Sequence, residues 1–457
     1  MTGLIKRNGY NKALTFLLTL IYVFVLISQP VEGAEESEVI ELLHADQSEM
    51  RIERDNVIIN LIGNVRFKHK TTDLTSDRAV WYRTAGQVVF LGNVNITDSG
   101  DSLWADRITY TQSTEEAVAD GNVRLKSLKE NAVILGYHAV YQRADKYGVF
   151  YPDPKLVFYQ DVIDSMIEVT ADTMEYFLDL AFGVAQGNVN IKKERMDAFC
   201  GAADLFTREN KIILKENPRA AHRESKLSGE VMELYFVEKK IERIEVLENA
   251  KVTHRQLVDS LSSNYTESNL SGKKIVFLLD QEELKEIKVM GNAQSLYFPY
   301  FSDSLEEQKN EASGDTIDLF LNENKVNRVL INGGAEGTYY ALVKSASQDS
   351  LIRADTVKYS AGVIDYRIDQ DLITLEKNCN LKHEKISLDA GSVKYYTRKE
   401  ILVAEGKKAL EEGEEEITDF PVLKEGNEEI TGNSMVYNLK TKRGKIQAGK
   451  TGFKGGF

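Results

Sequence analysis

The chain has 457 residues, 42% of them hydrophobic, which is enough for a large core or a long repeat array. Only six prolines, beside 21 tyrosines and 18 phenylalanines, favour β structure over helix bundles or a disordered chain. The formal charge is −14 and no basic stripe recurs, which argues against a nucleic-acid partner.

The N-terminus has the layout of an export signal. Lys6, Arg7 and Lys12 precede an apolar run over residues 13–28. The small residues Val31 and Gly33 place cleavage after Gly33 or Ala34, so residues 1–33 are read as a signal peptide. The run is short for a membrane span of roughly 20 residues. No cysteine follows it, which argues against a lipid-modified start.

Beyond the leader a five-residue element recurs. It is GNVRF at 63–67, GNVNI at 92–96, GNVRL at 121–125 and GNVNI again at 187–191. Glycine accepts positive φ, and asparagine is the next most tolerant residue there. The pair therefore makes a tight turn or a bulge. The alternation after it is that of a strand with one buried face. The element reads as a turn followed by a strand. In its looser form the slot drifts to Asn217, Asn249, Asn292 and Asn378, and Pro152-Asp153-Pro154 fills one position.

A second element alternates with the first. It is ADRITY at 105–110, ADTMEY at 171–176 and ADTVKY at 354–359, with looser copies from SDRAVWY at 76–82 to GNSMVY at 432–437. Asp106, Ile108 and Tyr110 share one face of a strand, and Asp106, Asp172 and Asp355 read as turn residues at strand starts. Aromatic anchors from Tyr82 to Tyr437 mark about eleven units. Their spacing is 28 to 35 residues as far as Tyr235 and 36 to 43 beyond it. The excess falls in polar stretches at 259–270, 302–313 and 411–419, which read as loop insertions. The chain thus divides into a regular section, 34–255, and a looser one, 256–457. A fixed period of two-strand units that cannot bury their apolar faces alone is an all-β repeat array.

The ordered alternation of Ala-Asp-x-x-x-Tyr with Gly-Asn-Val resembles the LptA/OstA family of lipopolysaccharide transport proteins, over roughly Glu38 to Lys450. The resemblance implies an elongated, taco-like β-jellyroll whose two sheets enclose an apolar groove. It implies a periplasmic lipid-binding bridge, associated with the outer membrane, that passes lipopolysaccharide onward and has LptC-like and LptD-like partners. The ending Arg443–Phe457 resembles the junction before the LptD barrel. Either a long LptA-type bridge or an LptD-type periplasmic region without its barrel is implied.

The residues suit that role. An acyl chain of about a dozen carbons, at roughly 0.8 kcal/mol per CH₂, is held out of water by about 10 kcal/mol. One stripe, Val65, Phe67, Val94, Ile96, Ile108, Val123, Leu125, Met174, Val189 and Ile191, is expected to line the groove. The same alternation fits a closed core, so the alternative is an extracytoplasmic β-solenoid scaffold or adhesin. The edge strands of an open stack invite strand addition, and hence head-to-tail self-association. The acidic chain requires the lipid's sugars and phosphates to stay in solvent, with Lys68, Lys70, Lys192 and Lys193 as solvated edge charges.

Enzyme chemistry has little support. His44, His69, His138, His222, His254 and His383 show no metal-ligand spacing, and no GxSxG or phosphate-cradling loop occurs. No cofactor is expected. Asp101, Asp164, Asp259, Asp303 and Asp349 each precede Ser and an apolar residue, as at a turn into a strand. Cys200 and Cys379 sit in strand-like stretches and read as small buried side chains.

Overall fold

The computed structural model describes residues 39–447, apart from 55, 99, 159–165, 195, 223, 239, 260–263, 282, 299–305, 324, 345–350, 412–413, 439–440 and 442. The leader, Asp164, Asp303, Asp349, the side chains of Asp259 and Asp355, and the ending from residue 448 lie outside the described residues. Nearly everything described is β strand, with one 3-10 turn at Ile368–Gln370.

The strands form an antiparallel meander. Asn56–His69, Thr72–Tyr82, Gln87–Asp98, Asp101–Thr111, Glu116–Ser127 and Ala132–Gln142 each pair with the next. Laid straight, the eleven residues of Thr72–Tyr82 would span roughly 35 Å. Row partners Tyr82, Gln87, Thr111, Glu116 and Gln142 put the loop holding Arg143 at the Tyr82 end. Yet Arg143 bonds Thr71 and Thr72, at the opposite end. The sheet is therefore folded double, and the fold line crosses the middle of each strand.

The Gly-Asn pairs make that crease. They lie inside continuous strands, not between strands, which corrects the reading of a turn followed by a strand. Register shifts at Ile62/Val65, Leu91/Val94 and Asp120/Val123 mark each as a bulge. Both residues are left-handed, as in Gly121 (φ 75°) and Asn122 (φ 46°). The residue chemistry is the same for a hairpin turn and a bulge; only the pairing partner decides. The Ala-Asp element is the other half of the joint. Asn93 donates its side-chain amide to Asp77 at 2.8 Å, Asn122 to Asp106 at 2.8 Å and Asn188 to Asp172 at 3.0 Å. Asp106 thus sits mid-strand at the crease, where it was expected at a strand start. A Cβ on Gly121 would stand 2.5 Å from its carboxylate. The drifted slots hold too, since Asn217, Asn249, Asn292 and Asn378 are all left-handed, as is the Gly333-Gly334 pair that sequence reading passed over.

Each crease thus divides its strand between two walls; because the strands run antiparallel, the first wall takes the segment before the crease from one strand and the segment after it from the next. The facing sides pack into a single apolar interior running from Ile40 to Met435. Phe67 anchors its N-terminal part, edge-on to Trp81 at 5.3 Å and to Phe90 at 5.5 Å.

From residue 240 the strands lengthen. Lys240–Asp259 and Lys325–Lys344 have 20 residues, and Asn264–Asp280, Glu306–Asn322 and Leu351–Arg367 have 17. The polar stretches expected to be loop insertions are largely strand here. Thr266–Leu270 pairs with 252–256, and Asn310–Ser313 pairs with 294–297. A strand with polar residues on both faces has a loop's composition, so only its partners reveal it.

Candidate functional site

All ten stripe residues face the interior, and none is more than 6% exposed. They belong to one packed cluster. Successive buried positions are two apart, as in Val65 and Phe67 or Val189 and Ile191, with exposed or half-buried residues between them.

Over this N-terminal section the rims of the two walls meet. Arg143 of the first wall is the centre of a clasp, with its side chain only 14% exposed. It pairs with Asp98 of the second wall at 3.0 Å and with its own wall's Glu115 at 2.6 Å, and it donates to Thr71 and Thr72. Lys70 reaches across the mouth to Glu115. Burial pushes the Glu115 carboxyl up, but hydrogen bonds from Lys70 and Arg143 outweigh it and hold the pKa below the usual value. Beneath the clasp His69 bonds the Tyr110 hydroxyl at 2.7 Å. Burial, then the Glu115 charge, pushes that phenol well up. A second clasp follows, in which Thr207 donates to the nearly buried Glu130 at 3.1 Å and Arg208 lies 3.9 Å away.

The sealed interior is closely packed with apolar side chains. A cavity lined by Thr72, Ile96, Leu103, Tyr110, Leu125 and Tyr141 amounts to about 20 Å³, room for about one water and not for an acyl chain.

Beyond residue 266 the interior is half open. Leu270, Leu319, Val329, Tyr359, Ile373 and Leu381 point inward against the core but are only partly buried. Each of the last five is two residues from a buried inward neighbour, such as Ile317 for Leu319 or Cys379 for Leu381. The taller walls explain this. After the crease at Asn249 the second wall runs about ten residues, roughly 33 Å, where in Gln87–Asp98 it runs about five, roughly 17 Å. Sequence reading placed its candidates in the sealed section and passed over this open one. The available signal was Tyr297, Tyr339 and Tyr359, aromatics set among polar residues in the stretches read as looser.

The other expected residues take varied places. Lys68 and Lys192 are exposed, whereas Lys193 is buried beside Glu194, so it is not a solvated edge charge. A short apolar segment at a hairpin end hides a lysine stem well. Asp101 opens a strand after a hairpin, as expected, and burial raises its pKa. Cys200 and Cys379 are both free and buried. Burial pushes each thiol up to about 11. His138 pairs with Asp120 at 2.6 Å on the outer surface. Among the described residues no group of three His, Cys, Asp or Glu is placed to hold a metal, and no helix is long and apolar enough to cross a membrane.

Residues 37–179 match the family model described as OstA-like protein. This section of the chain is OstA-like. The OstA-like section holds the first creases and the Arg143 clasp; the tall, half-open walls lie outside it. Among solved structures the chain is similar to LptH, described as the LptA homologous periplasmic component of the lipopolysaccharide transport device from Pseudomonas aeruginosa. The identity is 16%, over 34% of this chain and 93% of that one, with a TM-score of 0.23. No curated protein matches the chain.

Proposed function

We propose that this chain is a periplasmic, non-enzymatic carrier that shields the acyl chains of lipopolysaccharide on their way to the outer membrane. The observation that carries this is the continuous apolar interior, half open from residue 266 onward. An acyl chain laid there leaves water at roughly 0.8 kcal/mol per CH₂ without any chemical step. The OstA-like match over 37–179 supports the same conclusion. The ten-residue stripe is then the sealed continuation of the groove, which lipid reaches only when the clasps part. The division into leader (1–33), regular section (34–255) and looser section (256–457) belongs to this proposal.

Docking of LptC-like or LptD-like partners, or of a second copy, would use the N-terminal end. Among the described residues Gln47–Glu53 pairs along one edge only, and Met50 and Ile52 stand 64% and 70% exposed. The sealed section favours a second reading for itself alone, that of a rigid spacer with a dry core.

Purification from cells that make lipopolysaccharide tests the proposal. The chain should retain lipid, and a fluorescent acyl probe bound to it should be displaced by added lipopolysaccharide. A folded chain that neither retains lipid nor binds the probe is a scaffold.

A further inference from the structure

The two walls of the open section differ in chemistry. The first wall is mostly aliphatic, with Ile275, Val289, Ile317, Ile331, Ile364 and Leu375 buried, and carries Phe277 and Tyr366 among them. Cross-strand partners define two inward rows on the second wall. One runs Tyr297, Asn310, Tyr339, Val357, His383 over five neighbouring strands. The other runs Ser295, Ala312, Gly337, Tyr359, Leu381. Neither row holds a lysine or arginine. Counted from the crease, the second row corresponds in the sealed section to Ile96, Leu103 and Leu125, and the first to the rim residues Asp98, Asp101 and Ser127.

These phenols are aimed into the groove. Tyr359 lies across Gly337, where a Cβ would meet its hydroxyl at 2.3 Å, and donates to the Asn310 side-chain oxygen at 2.7 Å. Tyr297 is 40% exposed as a residue, and burial of part of its side chain raises its pKa. Tyr366, in a row of the first wall with Val329 and Ile373, has its phenol raised first by burial and then by the charge of Tyr297.

A wall built only to hold hydrocarbon gains nothing from phenols and an amide, which must be desolvated. A wall built for phosphate would carry cations. We propose that this wall recognises uncharged polar groups borne on an acyl chain, such as hydroxyl, amide and ester oxygens. They hydrogen-bond to Tyr297, Tyr339 and Asn310 while the hydrocarbon lies on the aliphatic wall. The inference rests on the lipid-carrier function above.

Equilibrium dialysis of the full chain against 3-hydroxytetradecanoate and tetradecanoate, both below micelle formation, tests it. The hydroxylated chain should bind about five- to tenfold tighter, as one net hydrogen bond allows. Tyr297→Phe combined with Tyr339→Phe should cut the preference, read as the ratio of the two affinities, below about twofold. If the double variant loses tetradecanoate too, the single variants decide, and each should lower the preference. Equal affinity of the wild type for the two probes, or a preference that survives the Phe substitutions, overturns the inference and leaves the carrier function standing. Binding of neither probe overturns both.

Discussion

Replacing Arg143 by alanine removes the centre of the first clasp. Two carboxylates, Asp98 and Glu115, each less than one-fifth exposed, are left facing the mouth, with Lys70 still on Glu115. Breaking a fully buried pair by removing one partner costs about 3–5 kcal/mol, and an exposed pair is worth about 0–1 kcal/mol. The burial of this site sets an intermediate figure of about 2–3 kcal/mol. A long repeat array need not unfold in one step, so a global melting curve averages the effect away. Local hydrogen exchange resolves it. The amides of Thr72, Asp101 and Thr111, at the rims, should exchange about 30- to 150-fold faster in the variant, while those of Leu319 and Ile364 are unchanged. The sign with pH also follows. The Glu115 pKa is lowered in the folded chain, so its contribution is present above the ordinary carboxylate value of 4.5 and is lost as pH falls through the depressed value. The gap between wild type and variant should therefore narrow on acidification below about pH 4.5. Rim exchange that is unchanged at pH 7, or a gap that widens in acid, would refute the clasp.

Other outcomes follow from the same geometry. Asn122→Ala should cost about 0.5–1.5 kcal/mol through the lost bond to Asp106, whereas Gly121→Ala should cost more, because it adds a left-handed Cβ penalty of about 1–2 kcal/mol and a collision with that carboxylate; local exchange in 105–125 reads both. Phe67→Ala should cost about 3–5 kcal/mol and shift the emission of Trp81, which packs edge-on to it. The Tyr359 phenol is pushed up to about 12 by burial, so ultraviolet titration of the folded chain at pH 10.5 should show it still protonated while exposed phenols ionise, and Asn310→Leu should not restore an ordinary value, since burial dominates.

Periodicity alone carried much of the fold. Val65 and Phe67, or Val189 and Ile191, were legible as one buried face, because a strand's two-residue repeat is local. The crease was half legible. Gly92 and Asn93 announced positive φ, but their partnership with Asp77, sixteen residues back, exists only once the strands pair. The clasp was not legible at all. Arg143 and Thr72 are 71 residues apart, and nothing in either neighbourhood marks them as rim residues. The open section was misread for a compositional reason. Residues such as Asn310 and Ser295 are polar on an inward face, so the apolar alternation that reveals a strand fails where a ligand-facing wall is polar.

The most direct measurement places a photo-crosslinking residue at Leu319 and, separately, at Ile191, in cells that make lipopolysaccharide. Both face the same interior, one in the half-open section and one in the sealed section. The account predicts lipid adducts at Leu319 and none at Ile191. Adducts at Ile191 and none at Leu319, or no lipid adduct at either in a folded and exported chain, would contradict it.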